Sequence, residues 1–213
     1  MSILPAENNR DVLQPNEREV DLDAVWRRVR GWIYAAMGLL LAGALAVSIH
    51  FHLKSQEEEA ELTAQSMLIQ APNEGALQVI IEKHPSTDAS IQSLMLLAYQ
   101  KYMQGDWKAA RENYQKVYER SATRQPDLAA AALFGIGVSY EAENNYDKSL
   151  EAYALLASRF PDSFKTAEAR MGEARVYEKK GDLAKARQSY ENIIVSFPSS
   201  EWKNEAERRK MIL

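Results

Sequence analysis

The strongest constraint on the fold of this 213-residue chain is a repeated segment with a period of 37 to 39 residues. The stretches GDWKAARENYQKVYE, NNYDKSLEAYALLASRFP and GDLAKARQSYENIIVSFP begin at residues 105, 144 and 181. Their central tyrosines are Tyr114, Tyr153 and Tyr190. Periods of this length are typical of solenoids, in which one supersecondary unit packs only against its neighbours. The sequence therefore predicts an array of small repeated units.

Each unit also contains another helical stretch, which precedes a tight turn and forms the first helix of the unit. These stretches begin near residues 93, 131 and 167 and carry apolar residues at helical spacing. Gly105 and Gly181 supply the backbone freedom that the turn needs, and Asn144 takes the same place in the middle unit. Pro161 and Pro198 end the second helix of their units. The predicted unit is helix, turn, helix and a proline-marked break.

This pattern resembles the tetratricopeptide repeat (TPR) family. In the middle unit the small residue, the two aromatics and the closing proline are Gly137, Tyr140, Tyr153 and Pro161. The first unit departs from the pattern, because Lys101 replaces the first-helix tyrosine. The resemblance implies a short TPR-like helix-turn-helix solenoid. With the apolar N-terminal segment described next, we predict an all-α fold: one N-terminal transmembrane helix followed by this solenoid.

An apolar segment precedes the repeats. Residues 31–51 contain no Asp, Glu, Lys or Arg, and 21 residues of helix span about 31 Å, close to the thickness of a bilayer core. A signal peptide has a shorter apolar run and a shorter leader, although Ala44-Leu45-Ala46 fits a cleavage pattern. We expect a retained membrane anchor.

The flanking charges predict the orientation of this anchor. Arg27, Arg28 and Arg30 precede it, and positive flanks stay in the cytoplasm. The N-terminus is therefore expected to be cytoplasmic and the C-terminal domain extracytoplasmic. Gly38, Ala42 and Ala46 form a stripe of small residues that predicts a helix-packing face in the lipid, although such residues are also common in membrane spans.

The chain thus divides into five predicted parts. They are a disordered cytoplasmic tail (1–24), a transmembrane helix (25–53), a connector helix with a degenerate first repeat (54–90), three TPR-like repeats (91–198) and a C-terminal cap helix (199–213).

The residues indicate binding rather than catalysis. The sequence has no Cys, only three His, and no phosphate-loop, dinucleotide or zinc-protease motif, so we expect no enzyme activity, catalytic residue, metal or cofactor. The formal net charge of −4 argues against a nucleic-acid platform, and no small-molecule substrate is expected. Proteins and membrane lipid are the expected partners.

In TPR solenoids the first helix of each repeat lines a concave groove. The resemblance places nine candidate partner-binding residues there: Gln92, Met95, Tyr99, Tyr102, Met103, Phe134, Val138, Met171 and Arg175. Methionine and aromatic side chains suit segments of varied sequence. Alternatively, the tyrosines and Phe134 pack internally on the helix predicted at 54–70.

The order of tail, span, Glu-rich connector and repeats is similar to the YfgM-type family. Its members are described as ancillary subunits of the bacterial SecYEG translocon. This resemblance implies a location in the bacterial inner membrane, with the repeat domain in the periplasm. It also implies an adaptor or chaperone-like protein whose partners are translocon subunits, periplasmic chaperones or unfolded exported clients. Two alternatives remain open: a structural scaffold of the cell envelope, in outer-membrane assembly or a Tol-Pal-like system, and self-assembly into a TPR array.

Overall fold

The computed structural model describes residues 22–71 and 73–213. Most of the tail predicted for residues 1–24 lies outside this part. The described residues form nine helices and no strand, so the all-α prediction is confirmed. The helices are α1 (Leu22–Ile69), α2 (Glu74–Lys83), α3 (Asp88–Met103), α4 (Trp107–Ser121), α5 (Pro126–Ala142), α6 (Tyr146–Arg159), α7 (Lys165–Lys180), α8 (Leu183–Ser196) and α9 (Trp202–Ile212).

The chain divides into two compact units between Lys54 and Ser55. In the first unit, the described part of α1 is exposed along its whole length. Helix α1 is long and apolar enough to cross a membrane. The second unit contains the end of α1 and all the remaining helices.

The second unit begins with a small cluster in which Ala64 of α1 is buried against Ile80 and Ala89. Glu61 of α1 caps α3: its two carboxylate oxygens accept hydrogen bonds from the backbone amides of Asp88 (2.7 Å) and Ala89 (3.1 Å). A carboxylate in this position satisfies amides that have no partner within the helix and favours its positive end. The end of α1 is therefore tied to the start of α3.

The three tight turns have the backbone that the sequence predicts. Gly105, Asn144 and Gly181 have φ of 80°, 60° and 77°, in the left-handed region. After Gly105 and Gly181, Asp106 and Asp182 accept hydrogen bonds from backbone amides and so cap the helix that follows. The turn residues thus end one helix and begin the next within three residues.

The repeat tyrosines fill the core between helices. Tyr153 and Tyr190 are each only 1% exposed. A Cβ at Gly137 would lie 2.4 Å from the ring of Tyr153, and one at Gly172 would lie 2.6 Å from it. The ring of Tyr153 is therefore held between two glycines, one on α5 and one on α7, and these helices approach because neither position has a side chain.

Candidate protein-binding surface

The first helices of successive repeats form one continuous row. Helix α5 contacts both α3 and α7, and α7 contacts α9. In the described part of the chain the second helices, α4, α6 and α8, do not contact one another. In a curved solenoid the helices that contact one another from repeat to repeat lie on the inside of the curve. We therefore call the exposed side of α3, α5, α7 and α9 the inner face.

The α3 end of the inner face is open and apolar. Tyr99 is 55% exposed and Met103 is 65% exposed, and Gln92 lies beside them on the exposed side of α3. Met95 and Tyr102 are half-buried and pack partly against the core. These five predicted residues therefore come together on one helix surface.

The middle of the inner face is closed by internal packing. Phe134 lies against the ring of Tyr153 with ring centroids 5.8 Å apart, and the Lys165 ammonium lies 5.0 Å from the centroid of the Phe134 ring. Val138 is half-buried on the same helix. Phe134 thus packs on Tyr153 of α6, whereas the alternative interpretation placed it on the helix at 54–70.

The α7 end of the inner face is charged. Met171 is 7% exposed and packs in a cluster with Tyr190 and Trp202, so little of it reaches the surface. Arg175 is half-buried and held in an ion pair. Of the nine predicted residues, the α3 group is therefore the most accessible, and their role in binding stays a prediction.

Three helices supply the ion-pair network around Glu141. The Glu141 carboxylate is buried and accepts two hydrogen bonds from the Arg175 guanidinium, both at 2.7 Å. The Lys179 ammonium donates to it at 2.9 Å, and the Tyr153 hydroxyl donates at 3.1 Å. The network therefore joins α5, α6 and α7.

The network also determines the ionisation of its members. Burial opposes ionisation of Glu141, but the hydrogen bonds and charges of Arg175 and Lys179 outweigh burial, so the pKa of Glu141 lies below its ordinary value. The hydrogen bond to Glu141, working against burial, raises the pKa of Arg175. Glu141 is thus a charged group at neutral pH.

A second network repeats the first one unit later. The Tyr190 hydroxyl donates to Glu178 at 2.7 Å, and Arg209 of α9 lies 3.5 Å from the same carboxylate. Helix α9 therefore takes the place of a first helix of a further repeat. In the first repeat, the position equivalent to Glu141 and Glu178 is Tyr102. Burial raises the pKa of the repeat tyrosine of that unit, Tyr114, to about 12.

Neither network was predicted from the sequence. The sequence did contain a signal, because a glutamate precedes the repeat tyrosine by twelve residues in two units, as in Glu141–Tyr153 and Glu178–Tyr190.

Between α7 and α9 lies a cavity of about 470 Å³, next to both networks. It is lined by Met171, Arg175, Tyr190, Glu201, Trp202, Glu205, Arg208 and Arg209.

In the first compact unit, the predicted helix-packing face is exposed. Gly38, Ala42 and Ala46 lie on α1, and a Cβ at Gly38 would meet no atom within 4 Å. Arg27, Arg28 and Arg30 precede this stripe on the same helix. The roles given to these residues, packing and topology, stay predictions.

A tetratricopeptide repeat-like domain model matches residues 24–210. The chain belongs to this tetratricopeptide repeat-like family. The matched residues include the apolar part of α1 as well as the repeats. A search of curated proteins found no match.

Solved structures that are similar to this tetratricopeptide repeat-like chain come from three kinds of protein. MamA matches with a TM-score of 0.50 and 19% identity, over 75% of this chain and 79% of that one. The type III secretion translocator chaperone SycD of Yersinia enterocolitica matches with a TM-score of 0.47 and 19% identity, over 58% and 90%. A putative kinesin light chain of Podosopora anserina matches with a TM-score of 0.48 and 17% identity, over 68% and 74%. At such identity the likeness to MamA supports the fold alone.

Tetratricopeptide repeat-like domains generally bind proteins. The family therefore indicates a protein-interaction module rather than an enzyme.

Proposed function

We propose that this protein is a single-pass inner-membrane adaptor of the Sec translocon. Its N-terminus is cytoplasmic, its repeat domain is periplasmic, and the inner face binds unfolded exported clients or periplasmic chaperones. The observation that carries the proposal is the open α3 surface, where Tyr99 and Met103 are more than half exposed on a domain of an interaction family. The YfgM-type resemblance supplies the translocon as the partner.

The membrane part of the proposal is supported by α1. The helix contains a stretch long enough to cross a bilayer, and arginines precede that stretch. Because the family match begins at residue 24, the apolar segment and the repeats belong to one family architecture. In this proposal α1 is both the anchor and, through Gly38, Ala42 and Ala46, the face that docks beside translocon helices.

The binding part is supported by the chemistry of the inner face. Methionine and tyrosine side chains offer an adaptable apolar surface to chains of different sequence. The α7 end is charged, through Arg175 and Lys179, both partly exposed. Such a surface suits an unfolded segment that places apolar residues on α3.

Protease accessibility in spheroplasts tests the topology. External protease should degrade the repeat domain and leave a fragment protected by the membrane, while a cytoplasmic control protein stays intact. A repeat domain that is degraded only after lysis would overturn the proposed orientation.

Co-purification of the full-length protein from detergent-solubilised membranes tests the partners. Recovery of translocon subunits together with exported chains or chaperones is expected. Recovery dominated by outer-membrane or peptidoglycan-binding proteins would instead favour the envelope scaffold, and recovery of this protein alone would favour a self-assembled array.

A further inference from the structure

A second cavity lies between two loops that join successive repeats. The α6–α7 loop has the sequence FPDSF at residues 160–164, and the α8–α9 loop has FPSSE at 197–201. Together with the first turns of α7 and α9 they enclose a solvent-open space of about 930 Å³. The cavity is large enough to accept several side chains of a bound segment.

Aromatic side chains form part of the cavity wall. Phe164, just before α7, is 68% exposed, whereas Phe160, four residues earlier at the end of α6, packs against the core. Trp202 is half-buried: it packs on the cluster of Met171 and Tyr190 and also borders the cavity. Two large aromatic side chains at the rim of one cavity form a local apolar surface, unlike an apolar residue exposed singly.

The charges beside these rings are mostly negative and uncompensated. Asp162 and Glu201 line the cavity, and neither carboxylate has a hydrogen-bond or ion-pair partner within residues 22–71 and 73–213. Glu168 also lines it but is paired with the Lys165 ammonium. That ammonium lies 5.4 Å from the centroid of the Phe164 ring, so one cation already occupies the kind of position that the cavity offers.

We propose that this cavity docks a short cationic segment of a partner protein, in which a Lys or Arg lies beside a bulky apolar side chain. The apolar side chain packs between Phe164 and Trp202. The basic side chain reaches Asp162 or Glu201 and contacts an aromatic face, which attracts a cation. An acidic segment is repelled by the same carboxylates.

This proposal concerns a different surface from the α3 end of the inner face. It needs neither the membrane orientation nor the identity of the translocon partner, so its failure would leave the proposed function unchanged. It adds a docking point whose specificity comes from charge, whereas the α3 surface is selected by apolar contact.

The test uses the full-length protein in uncharged detergent micelles. The probe is the synthetic peptide Gly-Lys-Phe-Lys-Leu-Gly with an uncharged fluorophore, and its binding is followed by fluorescence anisotropy. The peptide Gly-Glu-Phe-Glu-Leu-Gly is the matched control and should not bind. Binding of the lysine peptide should weaken as salt is added, because ion pairs at an exposed site are screened.

Three variants locate the binding. Phe164→Ala, and the double variant Asp162→Asn with Glu201→Gln, should each weaken binding about fivefold to thirtyfold, since each removes the equivalent of two weak exposed contacts. All three positions are exposed or lack partners, so the variants should fold, which circular dichroism checks. Tyr99→Ala on the α3 surface should leave the affinity unchanged.

Two results would overturn the proposal. One is equal affinity of the lysine peptide for the wild type and both loop variants. The other is self-association of the wild type that Phe164→Ala abolishes in sedimentation experiments, because the occupant would then be a second copy of this chain.

Discussion

Replacing Glu141 by Gln should destabilise the repeat domain by about 2 kcal/mol. The substitution keeps the shape of the side chain but removes the negative charge of Glu141, which pairs with Arg175 and Lys179. Three charge-assisted hydrogen bonds are weakened, and in full burial each would contribute about 1.5–3 kcal/mol. The Arg175 and Lys179 side chains are 40% and 44% exposed, so water can replace part of the lost hydrogen bonding. The expected loss of stability is therefore smaller than the sum for three fully buried hydrogen bonds.

A matched control comes from the neighbouring ion pair between Asp147 and Lys180. Asp147→Asn also removes one carboxylate that pairs with α7, but this carboxylate is 81% exposed. An exposed pair contributes less than about 1 kcal/mol. Glu141→Gln should lower Tm by about 4–8 °C, and Asp147→Asn should lower it by no more than about 3 °C. Tm is measured by thermal unfolding of the full-length protein in micelles, followed by circular dichroism.

The pH dependence gives an independent measurement of the same network. Because the pKa of Glu141 lies below its ordinary value of 4.5 in the folded protein, its contribution to stability is complete above that value. The contribution is lost as the pH falls through the folded-state pKa. The Tm difference between wild type and Glu141→Gln should therefore be constant near neutral pH and shrink at acidic pH. Equal Tm shifts in the two variants, or a difference that grows with acid, would refute this account of Glu141.

Two further predictions concern packing and capping. Gly172→Ala should lower the free energy of unfolding by about 1 kcal/mol, measured in urea, because a Cβ 2.6 Å from the Tyr153 ring overpacks the core by more than the gain in helix propensity; a neutral or stabilising result would contradict the close approach of α5 and α7. Glu61→Ala should cost about 1 kcal/mol and speed amide exchange at the start of α3, because two capped amides lose their acceptor. Glu59→Ala, which removes an exposed carboxylate from the same helix, should change neither quantity, and equal exchange in both variants would contradict the capping role.

The local parts of the fold were predictable from the sequence because they depend on nearby residues. The turn at Asn144 follows from the tolerance of asparagine for left-handed backbone, and its φ of 60° agrees. The close approach at Gly137 follows from the spacing of small residues and the repeat tyrosine. Such patterns recur in each unit, so each copy supports the interpretation of the others.

The burial of Met171 and the Glu141 network depend on contacts between units, which the pattern of one unit does not contain. Met171 was predicted to line the groove, but Trp202 and the rest of α9 pack near it. Helix α9 was interpreted from the sequence as a cap, because its segment is polar and terminal repeats of a solenoid need one polar face. Its Arg209 also pairs with Glu178 as Arg175 pairs with Glu141, at a slightly shorter separation in the sequence.

Photo-crosslinking from residue 99 in living cells tests whether the inner face binds proteins. A photoreactive amino acid in place of Tyr99 should form protein adducts with translocon subunits, chaperones or exported chains. The same amino acid in place of Lys116, exposed on α4 away from the inner face, should form few. Adducts from position 99 that exceed those from position 116 are the result this account predicts. No adducts from position 99, or equal adducts from both positions, would contradict an inner face that binds proteins.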